Sequence, residues 1–106
     1  MIRALIIDQS AEDDMKEVYD FYELHSPGKG DPFLESCQQV FQRILAFPHL
    51  GLRLRSQVRK LPTPGFRYSV YYRVQANTIV VFGVLHQKRH AQHWKLRLDQ
   101  LDNDTN

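Results

Sequence analysis

The chain has 106 residues, one cysteine and a formal net charge of +2. That length supports one domain (1–106) with a modest core, and the lone Cys37 excludes an intrachain disulfide and points to a reducing cytoplasm. No apolar run reaches membrane-spanning length and no signal-peptide pattern opens the chain, so membrane and secreted classes are set aside.

The small net charge conceals a split. Residues 1–36 hold three basic against nine acidic side chains, a net of −6, whereas residues 37–106 hold eleven basic against three acidic, a net of +8. Such a split predicts a basic surface for nucleic acid or for an acidic protein segment, unless the two parts serve only to attract one another within the fold.

Residues 2–8 are short and apolar and read as a first strand. Ser10-Ala11-Glu12-Asp13 reads as a capping-box helix start, a hydroxyl for the orphan amides with a carboxylate three residues on. Ala11, Met15, Val18 and Tyr22 then form one helical stripe, and Pro27-Gly28 with Gly30 breaks it. Asp31-Pro32 opens a second helix, with Asp31 as N-cap and Pro32 at the first helical position. Its stripe is Phe33, Leu34, Cys37, Val40, Phe41, Ile44 and Leu45, and it closes near Phe47, before Pro48. Cys37 lies inside this stripe and reads as a buried, inert thiol. Two amphipathic helices across a short break make an antiparallel helical hairpin.

Residues 51–60 are basic, with Arg53, Arg55, Arg59 and Lys60, and a strand is expected around residues 58–61, with an earlier start left open. Pro62-Thr63-Pro64-Gly65 is a turn. Residues 66–90 (FRYSVYYRVQANTIVVFGVLHQKRH) read as a β-hairpin turning at Gln75-Ala76-Asn77-Thr78, where Asn77 tolerates left-handed backbone. A two- or four-residue loop sets Val74 opposite Ile79, Tyr72 opposite Val81 and Arg67 opposite His86; a bulge would shift this. Alternation then gives a core face of Phe66, Tyr68, Val70, Tyr72 and Val74 with Ile79, Val81 and Leu85. The other face carries Arg67, Ser69, Tyr71 and Arg73 with Val80, Phe82, Val84 and His86. It reads either as a partly covered face whose arginines reach water or as a surface for an anionic or stacking partner. Trp94, Leu98 and Leu101 give a short final helix over residues 93–101. The class is α+β: an N-terminal strand, a helical hairpin packed on a small, mainly antiparallel sheet, and a short C-terminal helix.

No phosphate loop, paired zinc cysteines or nucleophile elbow is present. His86, His90 and His93 fall within eight residues, but no carboxylate or thiol lies near them in sequence, and no metal or other cofactor is expected. His86, Lys88 and Arg89, opposite Arg67, could supply a base and cations for RNA cleavage, or a rim that orders the tail. Trp94 with Lys95 and Arg97 could offer a stacking plane beside charge, or a packing anchor. The arginines of residues 53–60 fit a solvated edge.

Phe66-Arg67-Tyr68-Ser69-Val70-Tyr71-Tyr72-Arg73-Val74, then Val84-Leu85-His86-Gln87-Lys88-Arg89, then Trp94-Lys95-Leu96-Arg97, follow an acidic helix with Phe21-Tyr22, a second helix, Pro48 to Gly51, and Arg59. In that order they resemble the RelE/ParE toxin superfamily, and in particular its ParE-like, plasmid stabilisation members. The resemblance covers nearly the whole chain. It implies a strand, helical hairpin, sheet and tail helix, and a bacterial, cytoplasmic toxin of a type II toxin-antitoxin pair that inhibits growth. It also implies a cognate antitoxin that wraps a disordered segment round the toxin, as a homodimer or a heterotetramer with the antitoxin. ParE-like members poison DNA gyrase and are not enzymes; RelE-like members cut messenger RNA on the ribosome.

The departures from the family pattern favour the former. Arg67 replaces a usual proline. The RelE catalytic arginine of the first hairpin arm falls at Ser69, while the second-arm arginine survives as Arg89. Trp94 matches the tail aromatic only loosely, and Arg59 and Lys60 are the nearest to the RelE lysine pair. The expectation is a gyrase inhibitor, with two alternatives: a ribonuclease using His86, Arg89 and Arg59, or a non-toxic binding module. The binding residues expected are Arg67, Tyr71, Arg73, His86, Lys88, Arg89, Trp94 and Arg97, with the antitoxin docking over the Arg67, Tyr71 and Arg73 face and the apolar helix surface beside it.

Overall fold

Runs of aromatic and β-branched residues make the two long strands at the centre of the sheet, and the helices pack against them on both faces. The computed structural model describes residues 4–104. The elements are β1 (Ala4–Ile7), α1 (Gln9–His25), α2 (Gly30–Ala46), β2 (Leu52–Arg55), β3 (Val58–Pro62), β4 (Tyr68–Gln75), β5 (Thr78–His86) and α3 (His93–Asp104). One five-stranded sheet runs in the order β1-β5-β4-β3-β2; β1 is parallel to β5 and the other pairs are antiparallel. The α+β expectation holds. Ile2 and Arg3 of the expected first strand lie outside the described residues.

The helical hairpin covers one face of the sheet. Val18 of α1 and Phe33, Cys37, Val40, Phe41 and Ile44 of α2 are buried against Val70, Tyr72, Ile79, Val81 and Val84. Each fully buried side chain of this size contributes about 1.5–3 kcal/mol over an exposed one. Tyr22, Phe33, Phe66 and Tyr68 close the end of this core as a set of tilted and edge-on rings. Burial pushes the Cys37 thiol up to about 12, which keeps it protonated and unreactive.

Both helix starts differ from the sequence expectation. Asp8, not Ser10, is the N-cap of α1: its carboxylate accepts the Ser10 amide at 3.1 Å. The Ser10 hydroxyl lies 2.6 Å from that carboxylate and 3.0 Å from the Phe82 carbonyl, so it ties the cap to β5. At α2 the cap position is Lys29, whose side chain makes no capping bond. Glu23 of α1 substitutes, accepting the amides of Gly28 at 3.0 Å and Gly30 at 2.9 Å. The break is short enough for the first helix to cap the second. Gly30 is required by this approach, since a Cβ there would sit 2.5 Å from the Tyr19 ring.

The basic stretch forms two strands rather than one. β2 and β3 join through Ser56-Gln57, with Gln57 at φ +63°. In the long hairpin Gln75 pairs with Thr78, leaving a two-residue loop in which Ala76, not Asn77, takes positive φ (+50°).

The main correction is a bulge. Val74 does pair with Ile79 and Tyr72 with Val81, but the register then slips and Tyr71 pairs with Gly83. Phe82 is the extra residue. A one-residue slip exchanges faces. Val84 therefore joins the helical-hairpin core and Leu85 the opposite side, the reverse of the simple alternation. Tyr68, not Arg67, pairs with His86, and His86 moves to the α1 side. The opposite face is not open: α3 lies across it, and Trp94, Leu98 and Leu101 bury Val58, Tyr71, Phe82 and Leu85 in a second core.

Candidate functional site

The bulge at Phe82 creates the central polar feature. Asp14 of α1 is buried (9% exposed) between the acidic surface of the helix and β5. One oxygen, Oδ2, accepts the Val84 amide at 2.9 Å and Arg97 Nη1 at 2.8 Å; Oδ1 accepts Arg97 Nη2 at 2.7 Å. Arg97 Nη1 also reaches the Phe82 carbonyl at 3.3 Å. α1, the bulged strand and α3 thus meet at one carboxylate. Its hydrogen bond to Asp14, opposed by burial, holds the Arg97 guanidinium above its ordinary pKa. A charge-assisted, two-point pair of this kind is both strong and geometrically specific.

Beside this latch is a groove of about 330 Å³, lined by Glu17 and Phe21 of α1, by Tyr68 and His86 of the hairpin, and by Arg89, His90 and His93 leading into α3. His86 is 8% exposed, and its ring stands edge-on to Tyr68 with centroids 5.3 Å apart. Its Nδ1 accepts the amides of Lys88 and Arg89, both at 3.1 Å. Burial lowers its pKa, and the positive charges of Arg89, His90, Arg67 and Lys88 lower it further. The neutral ring therefore carries its proton on Nε2, a donor and not a base. The His90 and His93 rings lie tilted to each other, with centroids 5.0 Å apart. Among the described residues no three His, Cys, Asp or Glu side chains converge to hold a metal ion.

The expected site residues separate into three groups. His86, Arg89 and Arg97 line the groove, with Arg67 and Lys88 exposed close to His86. Tyr71, Arg73 and Trp94 belong to the α3 side. Tyr71 is 1% exposed, burial raises its pKa, and its hydroxyl reaches the Ala91 carbonyl at 3.4 Å. Arg73 pairs with Asp102 of α3. Trp94 is buried as an anchor, with the Arg55 guanidinium 5.1 Å and the Lys95 ammonium 5.7 Å from its ring centroid. The expected antitoxin face of Arg67, Tyr71 and Arg73 is thus occupied at Tyr71 and Arg73 by the chain's own helix. Arg59 stands apart: its Nη1 donates to the carbonyls of His49 at 3.1 Å and Gly51 at 2.9 Å, under the loop before β2.

Asp14, Glu17, Phe21 and Tyr68 were not anticipated at the site. Asp14 left a signal in the sequence, since it follows Ala11 by three and precedes Val18 by four and so sits on the buried stripe of α1. A carboxylate there needs a partner. Its partner, Arg97, is 83 residues away and has no sequence signal linking it to Asp14.

Over residues 5–91 the sequence matches the family described as the ParE toxin of the type II toxin-antitoxin system, parDE. A search of curated proteins finds no match. Among solved structures, the chain is similar to one titled "Chromosomal ParDE TA system from P. aeruginosa". The two share 20% identity with a TM-score of 0.61, over 80% of this chain and 96% of that one, a likeness of fold. No helix among the described residues is long and apolar enough to cross a membrane. With the family matched across most of its length and the same fold around it, this chain belongs to the ParE toxin family of type II toxin-antitoxin systems, within the RelE/ParE superfamily.

Proposed function

We propose that this toxin acts in the bacterial cytoplasm by inhibiting DNA gyrase, that it is neutralised by a cognate antitoxin, and that it does not cleave RNA. The observation that carries the reading is that Ser69 stands, buried, where the resemblance puts a nuclease's first-arm arginine, while His86 beside Arg89 is committed to a turn. A nuclease of this fold needs a positive charge at the Ser69 position to stabilise the pentacoordinate phosphate. Ser69 is a hydroxyl, 3% exposed and paired between Pro62 and Leu85. Arg59 is spent on backbone carbonyls, Arg97 on Asp14 and Arg73 on Asp102. His86 uses Nδ1 to hold a turn and has no lone pair on Nε2 for the 2′-hydroxyl proton.

That leaves Arg67, Lys88 and Arg89, exposed at the end of the hairpin, as a contact surface for the target rather than a reaction centre. Tyr71, Arg73, Trp94 and Arg97 serve it indirectly by fixing α3. The test is to express the chain without its antitoxin and to measure supercoiling by gyrase and the integrity of messenger RNA in the same cells. Blocked supercoiling with intact message supports the reading. Rapid cleavage of ribosome-bound message with gyrase untouched replaces it with the RelE-like alternative, and no effect in either assay, without a growth defect, leaves a binding module.

A further inference from the structure

The groove beside the Asp14–Arg97 latch holds polar groups that the fold itself leaves unused. The slip at Phe82 turns His86 to the α1 side, where it lines this groove of about 330 Å³ at 8% exposure. Its Nδ1 is taken by the amides of Lys88 and Arg89, so the ring proton sits on Nε2. Among the described residues nothing accepts that proton. Arg59 Nε is the only buried side-chain nitrogen or oxygen among them without a partner, so Nε2 keeps its opening to the groove. A donor more than nine-tenths enclosed, with no acceptor of its own in the fold, is thus aimed into a ligand-sized space.

The charge around that donor points the same way. The Arg89 guanidinium also lines the groove and has no carboxylate partner among the described residues, where the ion pairs are Lys16 with Asp20, Arg73 with Asp102 and Arg97 with Asp14. Arg89, His90, Arg67 and Lys88 together disfavour a second proton on His86, and the potential that does so attracts an anion. Tyr68 makes its hydrogen bonds through its backbone only, which leaves its hydroxyl within the influence of Arg89 and Glu17.

The remaining walls define the rest of the ligand. Val18, Phe21 and Val84 are apolar. Glu17 lines the groove, and Asp13, one turn earlier, is exposed on the same face of α1. Those carboxylates repel a run of phosphates, so a nucleic-acid strand is a poor occupant, whereas one anion at the far wall is not. We propose that the groove binds a small molecule carrying a single oxyanion on a flat apolar body, with the oxyanion on His86 Nε2 and Arg89 and the body against Phe21 and Tyr68. A carboxylate, sulfonate or phosphate meets the first requirement and an aromatic ring the second. The site is not the one a nuclease of the superfamily uses, since Ser69 pairs with Leu85, on the α3 side of the sheet. Nor does it rest on the gyrase reading, because binding of a small molecule is measured without reference to gyrase, RNA or growth.

The probe is phenyl phosphate, titrated into the full chain and followed through the imidazole N–H resonances by NMR. The expected result is saturable binding with the largest shift at His86 Nε2. Affinity should exceed that for inorganic phosphate, which has the charge without the ring, by about tenfold or more. Arg89→Gln should weaken binding about tenfold or more, as loss of a charge-assisted hydrogen bond does. Phe21→Ser should erase the preference for phenyl phosphate over inorganic phosphate, and Glu17→Gln should tighten both by removing a like charge. Arg89, Phe21 and Glu17 are exposed, so these variants should keep the fold. Four results overturn the proposal. In the first, phenyl phosphate does not bind. In the second, it binds Arg89→Gln equally well or shifts His90 and His93 but not His86. In the third, inorganic phosphate binds as tightly, which leaves only a charged rim. In the fourth, a single-stranded RNA displaces phenyl phosphate at lower concentration, which makes the groove a nucleic-acid surface.

Discussion

Asp14 and Arg97 face each other as a two-point ion pair, 2.7 and 2.8 Å, between the first helix and the last. The same carboxylate also accepts the first amide after the bulged Phe82-Gly83 step. One residue therefore joins the two terminal helices to the bulge, and the bulge decides which side chains face which core. Removing either partner leaves a charge with little water to replace it. Asp14→Ala or Arg97→Ala should destabilise by about 3 kcal/mol, the lower end of what breaking a buried pair costs, because both groups keep some exposure. Urea denaturation of the two single variants and the double variant would measure it; a double variant no worse than either single one identifies the pair as the source.

His86 makes stability depend on pH with a definite sign. Its folded pKa is depressed below the ordinary 6.5, mainly by burial and then by Arg89, His90, Arg67 and Lys88. The unfolded chain thus takes up the proton first. The contribution is fully present above about pH 6.5 and is lost as pH falls from there through the folded value. Protonation also removes the Nδ1 acceptor of the Lys88 and Arg89 amides, so residues 87–90 should loosen in the same range. Thermal unfolding from pH 7.5 to pH 5, as approximate limits, should show this fall in wild type and a smaller one in His86→Gln.

The elements were legible where a local period exists. The stripes of both helices, the hairpin and the Trp94, Leu98 and Leu101 anchor all follow from spacing, and the resemblance of the Phe66–Val74 and Val84–Arg89 stretches agrees with the fold. What spacing cannot carry is a bulge, and the side chain that bonds to this one is a carboxylate 70 residues earlier in the chain. The simple register therefore assigns Val84, Leu85 and His86 to the wrong faces. Ser10 and Asp31-Pro32 carry stronger sequence signals for a cap than Asp8, just outside the first helix, or Glu23, on the preceding helix. Nothing in the sequence says which face a short terminal helix will cover, so the burial of Tyr71 and the pairing of Arg73 under α3 have no local signal.

The hairpin loop holds an avoidable strain. Ala76 takes φ +50°, a region that costs a residue with a Cβ about 1–2 kcal/mol. Glycine relieves that cost but loses more freedom on folding. Ala76→Gly should therefore stabilise by a net of about 0.5–1 kcal/mol, and Ala76→Val should destabilise. Equilibrium denaturation of the three chains tests the order, since Ala76 is exposed and packing changes little.

The exposed rim at Arg67, Lys88 and Arg89 separates the two functional readings most directly. If the chain cut RNA, Arg89 would stabilise the developing phosphate charge and His86 would exchange the proton. Loss of either would then slow cleavage about 10² to 10⁴-fold, the worth of a general acid or base. On the reading preferred here, no cleavage exists to slow. Arg67→Glu with Arg89→Glu should instead weaken inhibition of gyrase while the fold, reported by Trp94 and the second core, stays as it was. Both side chains are exposed, so the reversal should cost little stability. The effect should also shrink as salt rises, because exposed charges act through a screened field. The decisive measurement is supercoiling by purified gyrase at low and moderate salt with both chains, run beside a ribosome-bound message. Equal inhibition by wild type and double variant would remove this rim from the target surface, and a cleaved message that becomes intact on loss of Arg89 would make the chain a nuclease after all.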